Sequence, residues 1–104
     1  MVNAVLYMNL ENHYQKTPEC LLEDMDGEML LYNPSNATTL HLNGPSALVW
    51  ELCNGDNSVA TMIHTLQQAY PAQKEQIERD VTAVIKELSD NEAIQQVLSQ
   101  QVVS

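Results

Sequence analysis

The stretch Leu42-Asn43-Gly44-Pro45-Ser46-Ala47-Leu48-Val49-Trp50-Glu51-Leu52-Cys53-Asn54-Gly55 decides the fold. Asn43 to Ser46 reads as a loop entering a helix, with Pro45 or Ser46 near the start, because a fixed φ suits the first turn. From Ala47 to Cys53 only Glu51 is polar. A helix apolar nearly all round is buried on more than one side. In a chain of 104 residues that means either a central core helix or a face kept for a partner. Gly55 is the expected stop, since glycine accepts the left-handed backbone that ends helices.

Upstream of this stretch the period is two. Residues 20–25 and 28–33 flank Asp26-Gly27, a strong two-residue hairpin signal because both central positions need φ > 0. Pro34-Ser35-Asn36 makes a turn, and residues 37–42 a third strand. Leu40 and Leu42 fall on its core face, Thr39 and His41 on the other. Downstream the period becomes helical. Ser58 is placed to cap a second helix whose stripe is Val59, Met62, Ile63, Leu66 and Tyr70, and Pro71 ends it. A third helix over residues 73–91 carries Ile77, Val81, Val84, Ile85 and Leu88. The order βββααα predicts an α+β fold: a three-stranded antiparallel meander followed by a three-helix cluster, winged-helix-like in outline. The expected organisation is an N-terminal arm (1–16), a core domain (17–91) and a polar C-terminal tail (92–104). In the arm Val2, Ala4, Leu6, Met8 and Leu10 alternate, which fits a docked strand or a frayed terminus.

Fourteen acidic residues against four basic ones give a net charge of −10. That argues against nucleic acid, whose phosphates need clustered Lys and Arg, and against an anionic membrane surface. Cys20 and Cys53 are too few for a disulfide scaffold, so a reducing cytoplasm is expected. The first ten residues lack the basic and long apolar parts of a signal peptide. Residues 29–50 carry no charge but are interrupted by Asn33, Pro34, Asn43 and Pro45, so they cannot span a bilayer.

Catalytic chemistry is not nominated. His13, His41 and His64 share no metal-ligand spacing, and neither cysteine has a neighbouring base or cation to form a thiolate. Glu23, Asp24, Asp26 and Glu28 cluster at the hairpin without the alternate spacing of a Ca²⁺ loop. With three glycines there is no phosphate-binding loop. No catalytic residue, metal or cofactor is expected.

Leu42-Asn43, then Ala47-Leu48-Val49-Trp50-Glu51-Leu52, Gly55 and Ser58-Val59-Ala60 together resemble the signature of PqqD-like proteins. Pro18, Asp26-Gly27-Glu28 and Leu30-Leu31-Tyr32 upstream fit as well, as do Tyr70, Ile77-Glu78-Arg79-Asp80-Val81 and Ile85-Lys86-Glu87-Leu88 downstream. The resemblance covers about residues 17–90 and implies a non-catalytic recognition element. Such proteins bind the leader of a ribosomally made precursor peptide and present it to a modifying enzyme, often a radical S-adenosylmethionine (SAM) enzyme. The leader adds as a strand to the edge of the third strand, beside the third helix; backbone pairing gives affinity and side-chain pockets give specificity. Carried over, the edge is Thr38, Thr39, Leu40, His41 and Leu42. The helical wall flanks the core stripe, with Thr82 and Ile85 on one side and Ala83 on the other, while Arg79 and Lys86 are placed to meet leader carboxylates. Members often end the third helix with Gly; here Asn91-Glu92-Ala93 stands in its place.

Two other classes stay open. A winged-helix transcription regulator needs a basic reading helix, whereas Lys74, Arg79 and Lys86 alternate with Glu75, Glu78, Asp80 and Glu87. A self-associating module would use the arm to pair with another copy, giving a swapped homodimer.

Overall fold

A computed structural model describes residues 9–98. The elements run β1 (His13–Lys16), β2 (Leu21–Met25), β3 (Glu28–Asn33), β4 (Thr38–Leu42), α1 (Gly44–Leu52), β5 (Asn54–Ser58), α2 (Val59–Ala69), a short 3-10 turn (Pro71–Gln73), α3 (Lys74–Asp90) and β6 (Ile94–Val97). The expected α+β meander and three-helix cluster are both present, and a second sheet joins them.

The meander has the order β2-β3-β4, antiparallel throughout. Asp26 (φ 57°) and Gly27 (φ 87°) both lie in the left-handed region, as a two-residue primed turn requires, and the Gly27 N–H donates to Asp24 Oδ1 at 3.0 Å. Leu21 faces Tyr32 and Leu31 faces Leu40, so the register puts Leu31, Leu40 and Leu42 on the inner face. Leu31 and Leu42 are buried and Leu40 packs against the core.

α1 is the central helix. Ala47, Val49 and Trp50 are buried, and Cys53 follows them into the core, while Glu51 is exposed. Trp50 satisfies its indole N–H on the Ala93 carbonyl at 3.4 Å. α2 turns Val59, Met62, Ile63 and Leu66 inward, and the Ser58 hydroxyl accepts the Thr61 N–H at 3.1 Å as its N-cap. α3 contributes Ile77, Val81, Ile85 and Leu88 to the same core.

The second sheet has the order β5-β1-β6, with β1 antiparallel to both neighbours. Here the structure departs from the sequence-based expectations. Leu10, the end of the alternating run, sits in a turn, and the strand begins three residues later at His13; Val2 to Met8 lie outside the described residues. Gly55 does not stop α1. The helix ends with Cys53, whose N–H returns to the Trp50 carbonyl at 3.1 Å, and Gly55 (φ 89°) lies within β5. The polar sequence of β5 is held by side chains: Asn57 Nδ2 donates to the Leu52 carbonyl at 2.9 Å and Asn54 Oδ1 accepts the Asp56 N–H at 2.9 Å.

β1 and β6 are tied in at one corner. Thr17 Oγ1 and Asn33 Nδ2 donate to the Glu92 carbonyl, at 2.6 and 3.1 Å, and the Thr17 N–H donates to the Ala93 carbonyl at 3.0 Å. Buried polar side chains are tolerated only when bonded in this way, and Thr17 and Asn33 are both buried.

Candidate functional site

β4 is an end strand. Its Thr38–Leu42 backbone pairs with β3 on one side, and no strand among the described residues pairs with its other edge. In an antiparallel strand alternate residues turn their N–H and C=O to opposite edges, so the outer row is a template for another strand. The start of the strand is anchored, since Asn36 Oδ1 accepts from the Thr38 N–H at 3.2 Å and from its hydroxyl at 2.7 Å.

The far end leads into α1. Asn43 takes an extended backbone (φ −80°, ψ 177°) and accepts the Ser46 N–H on Oδ1 at 2.8 Å. Between this first turn of α1 and one flank of α3 lies an open groove of about 460 Å³. Asn43, Pro45, Ser46 and Val49 form one wall and Gln76, Asp80, Val81, Ala83 and Val84 the other; Leu66 and Gln73 complete it. The chain passes from β4 through Asn43 into the groove wall, where carbonyl-bearing side chains meet short aliphatic surface. Such a groove suits an extended peptide, which offers main-chain bonding and alternating side chains together.

Each residue expected in the site has a definite place. Thr39 and His41 are exposed on the outer face of the sheet, and His41 Nδ1 lies 3.8 Å from Glu28 Oε1. Thr38 and Leu40 are half-buried and Leu42 is buried. Arg79 and Lys86 are exposed on α3, with Lys86 Nζ 2.8 Å from Asp90 Oδ2. Thr82 and Ile85 are core residues: they are 1% and 0% exposed, and the Thr82 hydroxyl donates back to the Glu78 and Arg79 carbonyls. The buried stripe of α3 is wider than its aliphatic spacing shows, because a threonine that bonds its own helix can join it. The groove therefore opens on the Ala83 flank. The groove also takes in Asn43, Asp80 and Val84, which the sequence marks only as parts of the family signature and of the apolar stripe, and Gln76, which it does not mark.

Titratable groups are perturbed elsewhere. Burial pushes the Cys53 thiol up to about 12, more than the nearby Lys16 ammonium can offset, and burial also raises Cys20. Thiols held protonated are poor nucleophiles. Both are free, and among the described residues no group of three or more His, Cys, Asp or Glu could hold a metal ion. No described helix is long and apolar enough to cross a membrane.

A family model, Coenzyme PQQ synthesis protein D (PqqD), matches residues 28–94, which takes in β3, β4, the groove and all three helices. This chain belongs to the PqqD family. Two solved structures share the PqqD fold seen here. One, described as "Lasso peptide synthetase B1 complexed with the leader peptide", has a TM-score of 0.66 at 23% identity, over 80% of this chain and 98% of that one. The other, "TbiB1 in Complex with the TbiA(beta) Leader Peptide", has a TM-score of 0.64 at 14% identity, over 86% and 99%. Comparison with curated proteins gives no match.

Proposed function

We propose that this PqqD-family chain is a non-catalytic peptide chaperone. It captures the leader of a ribosomally synthesised precursor as a strand added to Thr38–Leu42 and presents it to a modifying enzyme, such as a radical SAM enzyme. One observation carries this reading: the edge of β4 that no strand among the described residues pairs with leads into Asn43, which is itself part of the wall of the α1–α3 groove. Two proteins of similar fold, each described in complex with a leader peptide, support it.

In this arrangement main-chain pairing along β4 supplies affinity common to any extended segment. The groove selects the side chains that point towards α3, with Ala83 and Val84 favouring aliphatic residues and Asp80 favouring a basic one or a donor. Arg79 and Lys86, on the outer side of α3, meet leader carboxylates. The two free thiols fit action in the cytoplasm.

Calorimetric titration of the full chain with the leader of a precursor peptide encoded beside its gene tests the reading. Saturable one-to-one binding by the leader, and none by the remainder of the precursor, is the expected result. Equal binding by both parts, or by neither, overturns it.

A further inference from the structure

The outer face of the meander carries an apolar patch that the leader groove does not use. Leu21, Met25 and Tyr32 are exposed by 56%, 53% and 42%. The register puts them on one face, since Leu21 lies opposite Tyr32, Met25 opposite Glu28 and Glu23 opposite Leu30. Directly opposed residues of antiparallel strands share a face. Half-buried Leu30 therefore joins the patch between Tyr32 and the hairpin. The inner face, with Leu31 and Leu42, belongs to the core, so this patch is a separate surface on the far side of the sheet. Large apolar side chains gathered in the open on one face of a sheet suit contact with a partner.

We propose that this face docks a protein whose own apolar contact surface is edged with Lys and Arg, and that this protein is the peptide-modifying enzyme. The charge around the patch selects the partner. Glu23 and Glu28 lie on the patch face, Glu28 Oε1 3.8 Å from His41 Nδ1, and Asp26 projects at the hairpin tip, all three acids exposed. Lys and Arg are absent from both strands and from the turn between them. A second copy of this chain would bring the same carboxylates against each other, in a molecule already at −10, and like charges facing across an interface cost specificity and rate. A basic-edged partner is attracted by the same groups.

The position also suits presentation, and this part rests on the function proposed above. Strands in a sheet are about 4.8 Å apart, so a leader added beyond β4 lies roughly 10 Å from β3 and Tyr32. An enzyme seated on the patch is then next to the peptide without competing for the β4 edge.

The test uses the full chain and the purified modifying enzyme encoded beside its gene, with affinity measured by calorimetry. The double variant Leu21→Thr/Tyr32→Thr keeps β-forming residues at exposed positions; the variant Glu23→Lys/Glu28→Lys reverses the charge. The expected result is that wild type binds the enzyme and that added salt weakens the complex. Each variant should lose at least tenfold in affinity while binding leader as wild type does. Unchanged enzyme affinity in both variants, no binding of wild type to the enzyme, or a wild-type dimer that the variants dissociate in sedimentation overturns the proposal. A leader that binds none of the proteins counts against the groove reading instead, because enzyme affinity is read without peptide.

Discussion

Asn43 Oδ1 accepts the Ser46 N–H at 2.8 Å, so the residue that follows the open strand is also the N-cap of the central helix and part of the groove wall. One hydrogen bond thereby caps α1 at the point where the chain leaves β4 for the groove wall. Loss of an N-cap costs about 1 kcal/mol. Asn43→Ala should lower stability by about that amount in urea unfolding and weaken leader binding, whereas Asn43→Asp should keep the cap and the stability. Equal stability of the Ala variant and wild type would contradict the capping role.

α3 ends in a Schellman turn with an unsuitable residue. The Ala93 N–H donates to the Leu88 carbonyl at 2.8 Å and the Glu92 N–H to the Ser89 carbonyl at 3.0 Å, with Glu92 at φ 63°. A left-handed backbone costs a residue with a side chain roughly 1–2 kcal/mol. Only the main-chain carbonyl of Glu92 is used by Thr17 and Asn33. Glu92→Gly should therefore stabilise the fold by about 1 kcal/mol and raise Tm by ~4 °C, after allowance for the greater freedom of glycine in the unfolded chain. A fall in Tm would show that the Glu92 side chain contributes more than its backbone costs.

The meander, the helices and the family were legible because each rests on local chemistry: Asp26-Gly27 at a turn needing two positive φ values, Ser58 as a cap, and Val59, Met62 and Leu66 at helical spacing. The sheet of β1, β5 and β6 was not. Asn54 to Ser58 is a polar run with no strand preference, and it pairs only because β1, far away in sequence, is brought against it. On the helix side, two of the residues expected to face the peptide, Thr82 and Ile85, are buried. Thr82 looked like a flank residue by type, yet its hydroxyl is satisfied by carbonyls of its own helix, which lets it enter the core.

Cys53 makes stability fall at alkaline pH. Its thiol donates to the Val49 carbonyl at 3.3 Å and is held up to about 12 by burial, against an ordinary value of 9.0. Below pH 9 both folded and unfolded chains keep the proton, so stability is unaffected. Above it the unfolded chain releases the proton while the folded chain holds it, which favours unfolding by about 1.4 kcal/mol per pH unit for this one group. Urea unfolding from pH 8 to pH 11 should give a flatter profile for Cys53→Ala than for wild type. In the folded chain at pH 8, iodoacetamide should modify half-buried Cys20 well before Cys53.

Ala83 is exposed on the groove flank of α3. Ala83→Trp should fill the groove, lower leader affinity at least tenfold and leave the unfolding midpoint nearly unchanged, because exposed substitutions rarely move stability by more than about 0.5 kcal/mol. Gln68→Trp, on the exposed side of α2, should leave leader affinity as it is. Equal effects of the two substitutions would place the peptide elsewhere.

The central claim is that a leader joins the sheet along β4, and amide hydrogen exchange with and without saturating leader tests it most directly. Strand addition predicts new protection at alternate residues of Thr38–Leu42, those whose N–H groups point away from β3, together with slower exchange or shifted signals along the Ala83 flank of α3. Leader binding that saturates while every β4 amide exchanges at its free rate would contradict the account.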